Sequence, residues 1–411
     1  GSARKADTQI FSQGRKQSAP VFEREQLQPG FQVKGPAILI ESAGTTIVEP
    51  DWEAELLENG TLRLTRSVSQ QGQSFSNSLD PLLLSLFNHR FMAVAEHMGI
   101  ALEKTSVSVN VKERRDYSCA LFDTGGNLIA NAPHIPVHLG SMGESVRAVL
   151  KECGQRLAPG QSWVLNDPYC GGTHLPDITV VTPVFDESSA ELSFVVASRA
   201  HHADVGGISP GSMPPFSTHI REEGVLIPIQ CAASHNNFHE QEMRELFGSG
   251  EHPVRSLDQN LADLQAQIAA NHRGAMALKG LIDEFSLSTV HAYMGHIRQN
   301  AAHAMRRTID TLSNGEFQCE MDDGTQICVA LKIDHRARRA VVDFAGTSPQ
   351  HPGNLNAPQS VCRSAVLYAF RTIVGSDIPL NEGCLDVIDI HIPEHSVLSP
   401  DYPAAVVAGN V

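Results

Sequence analysis

Tryptophan is nearly absent from this 411-residue chain, with 2 residues, and tyrosine is scarce, with 5. Basic residues are also in deficit: 31 lysines and arginines stand against 46 acids, a formal net charge of −15. That balance excludes nucleic acid and anionic membrane surfaces as the main partners expected. No apolar run approaches the ~20 residues that a bilayer-spanning helix needs. The opening stretch GSARKADTQIFSQGRKQ has no apolar core of a signal peptide. The eight cysteines form no CxxC pair, and a chain of this length needs no disulfide staples, so a reducing, cytoplasmic setting is expected. Neither G-x-x-x-x-G-K-[ST] nor G-x-G-x-x-G occurs, so the chain shows no nucleotide-phosphate cradle of its own. What it has in plenty is histidine, 19 residues.

At about 150 residues per domain the length predicts two or three domains. Residues 1–30 read as polar and irregular, and 30–66 as short strands, with Asn59-Gly60 a hairpin signal. The Ser/Gln-rich run 67–78 reads as a linker, which places a domain boundary there. Asp80 followed by Pro81 predicts a helix start, and Leu84, Phe87, Phe91, Met98 and Leu102 lie on one face of that helix. Two strands flank Gly125-Gly126. The capping-box pattern Ser141-x-x-Glu144 predicts a helix that opens there and stops near Gly154. Residues 162–185 read as strand, Gly/Pro-rich loop and strand, and ELSFVVASRA as a further strand before another long loop. Residues 256–313 read as helical, and from 316 the apolar period switches to two. PAAVVAGNV reads as an apolar strand entering a turn, and an ending in mid-element suggests a fragment. The expected class is α+β: mixed and antiparallel sheets with packed helices, preceded by a small β-rich tail.

Five of the 19 histidines lie in three predicted loops: His134 and His138 in APHIPVHLG, His174 in GGTHLPD, and His201 and His202 in SRAHHADVGG. Carboxylates accompany them: Asp177 and Asp204 each three residues after a histidine, and Glu113 and Asp116 in KERRD. Imidazole with carboxylate suits a borderline divalent metal such as zinc, iron or manganese. Pro176 excludes a helical pair in HLPD, so His174 and Asp177 would act from a loop. In an extended strand end His201 and His202 point to opposite sides. At most one is then an easy ligand, and the other is left for proton transfer or support. The ERR run (113–115) and Arg199 are either anchors for an anionic group or structural ion pairs. GISPG fits the G-x-S-x-G pattern only formally, because Pro210 has no N–H to offer an oxyanion. Cys170 beside Gly171-Gly172 is as readily a passive small residue as a nucleophile.

The stretches KERRDYSCALFD, APHIPVHLGSM, NDPYCGGTHLPDITVVTPVF, SRAHHADVGGISPGSMPP, GNLNAP, PLNEGC and AAVVAGN closely resemble the hydantoinase B family, in order, over residues 79–411. Residues 20–66 resemble the C-terminal end of the hydantoinase A family. An A-type tail (1–66) joined through a linker (67–78) to a B-type half truncated at its end is the arrangement of the fused 5-oxoprolinase branch. The resemblance implies ATP-driven hydrolysis of 5-oxo-L-proline or a related cyclic amide, with N-methylhydantoinase and ketone-carboxylase subunits as alternative relatives. It also implies ATP and Mg in a partner A-type half, and a homo-oligomer in the full-length protein. A non-catalytic assembly role is a further alternative. The carboxylase members imply metal ligands at Glu113, His174, Asp177 and His201. They leave His202, Asp204 and His138 as proton-transfer groups nearby.

Overall fold

The computed structural model describes residues 3–12, 15–66, 76–132, 135–186, 191–235, 237–374 and 381–410. His134 and most of the expected linker (67–75) lie outside the described residues. The chain divides into two units, Gly1–Phe75 and Ser76–Val411.

The smaller unit is all β. Strands β1 (Arg4–Ser12), β2 (Arg15–Glu23), β4 (Ala37–Glu41) and β5 (Gly44–Val48) form one sheet. Strands β3 (Gln32–Lys34), β6 (Trp52–Leu56) and β7 (Leu62–Arg66) form another. Leu27, Ala37, Leu39, Val48, Ala54 and Leu56 make its core. The β1–β2 hairpin corrects the irregular reading of residues 1–30. Of β1 only Ser12 is buried, so the strand carries no apolar alternation to read. The hairpin at Asn59-Gly60 is present, with Gly60 at φ +79°.

The larger unit opens with α1 (Pro81–Thr105), whose N-terminus Asp80 caps by accepting from the Leu82 and Leu83 N–H groups. After the short α2 (Val109–Lys112) come β8 (Tyr117–Phe122), β9 (Leu128–Asn131), α3 (Pro136–Cys153), β10 (Ser162–Leu165), β11 (Asp177–Phe185) and β12 (Leu192–His201). Then follow α4 (Ile220–Glu223), β13 (Gln230–Ser234), β14 (Asn237–Phe238), α5 (Glu240–Phe247), α6 (Leu257–Phe285) and α7 (Leu287–Ile309). The central sheet is antiparallel, in the order β14-β13-β10-β11-β12-β8-β9. A second sheet, β15 (Gly315–Glu320), β16 (Gln326–Asp334), β17 (Arg339–Asp343) and β18 (Ile388–His391), ends in a parallel pair. Helix α8 (Gln359–Ile373) packs on α3. The observed class is the α+β arrangement expected.

Two expectations fail locally. Helix α3 begins at Pro136, not Ser141, because Pro136 takes the first helical position. Ser141 then lies one turn inside, and its hydroxyl bonds back to the Val137 carbonyl at 2.7 Å. The segment 404–407 is buried as expected of an apolar run, but it forms no strand. The Val406 and Val407 N–H groups are taken by the Glu223 carboxyl instead.

The central sheet has different partners on its two faces. One side of β11 and β12 buries Val181, Val195 and Ala197 against Met142 and Val146 of α3. The other places Ile178 and Val180 with Leu261 and Leu264 of α6. Any side chain near the end of these strands is therefore committed to one helix or the other.

Candidate metal centre

Asp177 is the first residue of β11 and His201 the last of β12, and the two are paired across the ladder. Residues directly opposite on antiparallel strands share a face. His201 Nδ1 lies 3.2 Å from Asp177 Oδ1. The turn before β11 returns His174 to the same carboxylate, with Nδ1 3.0 Å from Oδ2. These three side chains form a set whose candidate ligand atoms all lie within 4.8 Å of one another. The His174 and His201 ring centroids are 5.0 Å apart. The set is two imidazoles and a carboxylate, with His174 and Asp177 buried and His201 part-buried. That donor chemistry fits a borderline divalent ion held by three protein ligands with positions left open.

His138, from the first turn of α3, also faces this carboxylate. Its Nε2 is 3.3 Å from Asp177 Oδ2 and its Nδ1 is 3.0 Å from the Ser118 hydroxyl. Thr173 donates to Asp177 Oδ2 at 2.6 Å. Burial pushes the Asp177 carboxyl up, but the facing His174 and His138 outweigh it and hold the group well below the usual carboxylate range. Burial pulls His138 down. It acts the same way on His201, but the hydrogen bond and charge of Asp177 leave that ring raised.

Beneath the centre lies Arg199, fully buried on the same face of β12. Nε donates to Thr179 Oγ1 at 2.8 Å, and the two terminal nitrogens donate to the Ser141 and Ser145 hydroxyls and to the Gly171 carbonyl. It is closed off from solvent and held by hydroxyls and a carbonyl, so its observed role is structural, through neutral hydrogen bonds rather than the ion pair expected. Burial lowers it to about 10, so it remains a cation at neutral pH. Gly171, at φ +85°, brings its loop against α3, where a Cβ would stand 2.6 Å from the Glu144–Ser145 backbone. Only glycine allows that approach.

The remaining expected residues are placed elsewhere. His202 points to the opposite face, as strand alternation requires. It is fully buried, with Nε2 3.0 Å from Gln267 Oε1 and Nδ1 3.2 Å from Asn260 Nδ2, both on α6. Asp204 is consumed by its own loop, accepting from the Gly206, Gly211 and Arg255 N–H groups and pairing with the Arg255 guanidinium at 2.8 Å. Neither reaches the cluster. Glu113 caps the C-terminus of α2 and is exposed, outside the three-residue set. The acid of that segment that approaches is Asp116, with Oδ2 4.0 Å from His201 Nδ1. Sequence reasoning missed Asn410, whose amide lies 2.8 Å from His174 Nδ1.

Residues 80–411 match the family model described as hydantoinase B/oxoprolinase, and residues 1–66 the model described as hydantoinase/oxoprolinase C-terminal domain. The chain is 44% identical to "5-oxoprolinase 1" of Arabidopsis thaliana over 427 residues, covering 98% of this chain and 34% of that protein. It is 44% identical to the "5-oxoprolinase" of Saccharomyces cerevisiae, covering 95% of this chain and 32% of that one. Among solved structures, the ATP-dependent caprolactamase from Pseudomonas jessenii superposes with a TM-score of 0.73 at 26% identity, covering 81% of this chain and 57% of that chain. The chain thus spans about a third of the length of these curated relatives.

Proposed function

Because the chain belongs to the hydantoinase B/oxoprolinase family, we propose that it acts as the hydrolytic half of an ATP-dependent 5-oxoprolinase, opening 5-oxo-L-proline to L-glutamate. Residues 1–66 are then the tail of a hydantoinase A-type domain, 67–78 the linker, and 79–411 the N-terminal part of the B-type domain. The A-type half binds ATP and Mg and activates the ring amide. The full-length protein is a cytoplasmic homo-oligomer. No helix among the described residues is long and apolar enough to cross a membrane.

The observation that carries the chemical reading is the His174–Asp177–His201 set. These residues would hold zinc, manganese or iron. When bound, such an ion supplies Lewis-acid polarisation of an amide carbonyl or lowers the pKa of a water. The chain's own residues do the rest. Asp177 stays ionised and fixes the rings around it. Arg199 neutralises part of that charge from below without entering the site. In this reading His138, which lies between Ser118 and Asp177, is the proton-transfer group.

The test combines the purified protein with its A-type half. Release of glutamate with 5-oxoproline-dependent ATP hydrolysis supports the substrate. Stimulation by hydantoins, caprolactam or ketones in its place overturns it. A protein that binds no divalent metal, or is unaffected by His174→Ala, overturns the metal centre.

A further inference from the structure

A carboxylate on the ring carbon beside the amide nitrogen separates 5-oxo-L-proline from an uncharged lactam. A site that selects the acid needs a cation at its edge. The arginines around the candidate centre differ in what is left of them for that task. Arg199 is fully buried and committed to the Thr179, Ser141 and Ser145 hydroxyls and the Gly171 carbonyl. Arg115 donates to Glu103 Oε1 at 3.2 Å. Arg114 is exposed, and among the described residues no acid pairs with its guanidinium.

An exposed arginine on a loose loop would say little, but the turn that carries Arg114 is fastened to the centre. The His201 N–H donates to the Asp116 carbonyl at 3.0 Å, so the turn rests on the strand end that supplies His201. Asp263 of α6 holds the start of the same segment, accepting from the Val107 and Ser108 N–H groups at 2.7 and 3.2 Å. Within the turn, the Arg114 N–H donates to the Val109 carbonyl and the Asp116 N–H to the Asn110 carbonyl, both at 3.0 Å. Arg115 stands at φ +56°, a left-handed backbone that a residue other than glycine keeps only where its surroundings hold it. Glu103 supplies that hold, accepting from Arg115 and from the Tyr117 hydroxyl at 3.2 and 3.3 Å. Arg114 thus stands on fixed backbone, close enough for its charge to be felt at the His201 ring. Asp116 faces His201 instead, with Oδ2 4.0 Å from Nδ1. We infer that Arg114 is a specificity residue: its guanidinium anchors the carboxylate of 5-oxo-L-proline beside the His174–Asp177–His201 set. This rests on the substrate reading above. An arginine fork offers a carboxylate two parallel N–H donors, which an uncharged lactam cannot use.

The experiment combines the protein with its A-type half and follows glutamate release at low 5-oxo-L-proline for the wild type, Arg114→Ala, Arg114→Lys and Lys112→Ala. Arg114→Ala is expected to slow release ~10–100-fold, the scale of one charge-assisted hydrogen-bonded contact. Arg114→Lys keeps the charge without the fork and should recover part of the loss. Lys112→Ala removes a cation from the same segment and should release glutamate at the wild-type rate. A wild-type rate in Arg114→Ala, a lysine variant no better than alanine, or an equal loss in Lys112→Ala overturns the inference. A wild type that releases no glutamate overturns the substrate reading itself. Because Arg114 is exposed, its variants should melt with the wild type, which separates a lost anchor from misfolding.

Discussion

Replacing Glu223 by glutamine tests how the interior treats an isolated carboxyl. Glu223 ends α4, and it accepts from the Ser217 hydroxyl at 2.7 Å and from the Val406 and Val407 N–H groups. Burial pushes this carboxyl up, and the three donors offset only part of that, leaving it at about 7 against an ordinary value of 4.5. A carboxyl that is raised on folding binds its proton more tightly in the native than in the unfolded chain. Its contribution to stability is therefore full below about pH 4.5 and is lost as pH rises through about 7. The interval corresponds to ~3 kcal/mol at about 1.4 kcal/mol per pH unit. The two tryptophans, Trp52 and Trp163, lie in different units. In a Trp52→Phe background, Trp163 fluorescence alone reports urea unfolding of the larger unit. The stability difference between Glu223 and Glu223→Gln proteins should shrink by ~3 kcal/mol as pH rises across that interval. Every other titrating group cancels in the difference. A difference that grows with pH would show that the three donors, not burial, decide the ionisation of Glu223, and would refute the reasoning.

Alanine at His174 or His201 should each abolish stoichiometric divalent metal, read by elemental analysis after dialysis. Phe87 is fully buried against Phe91, Phe285 and Tyr293, so Phe87→Ala should cost ~3–5 kcal/mol in denaturant unfolding. Arg199→Lys keeps the charge but cannot span Thr179, Ser141, Ser145 and Gly171 together, and should destabilise by ~2 kcal/mol. Asp204→Asn should lower thermal stability by loosening the 204–211 loop while cobalt affinity stays at the wild-type level. A large loss of affinity there would restore Asp204 to the centre.

Local patterns were readable where a residue's neighbours along the chain decide its fate. The opposite orientations of His201 and His202 follow from strand alternation alone, as do the Asp80 cap and the Asn59-Gly60 hairpin. The family resemblance singled out His201, and the structure brings His201, Asp177 and His174 together. The misses share another cause. Ser141 fits a capping box, yet Pro136 had already started the helix. The β1 strand buries almost nothing, so no apolar period marks it. His202 and Asp204 sit in a histidine-bearing loop, but their partners, Gln267, Asn260 and Arg255, come from distant residues. Asn410 reaches His174 over a separation of 236 residues, and no local spacing encodes that contact.

That separation also imposes an order of assembly during synthesis. Asp177 and His201 are 24 residues apart and lie on adjacent strands, so they and His174 meet as soon as the β11–β12 hairpin forms. Asn410 emerges from the ribosome more than two hundred residues later. The nascent chain therefore passes through a stage in which the three-residue set exists uncovered. Residues 404–410 complete the surroundings of His174 last.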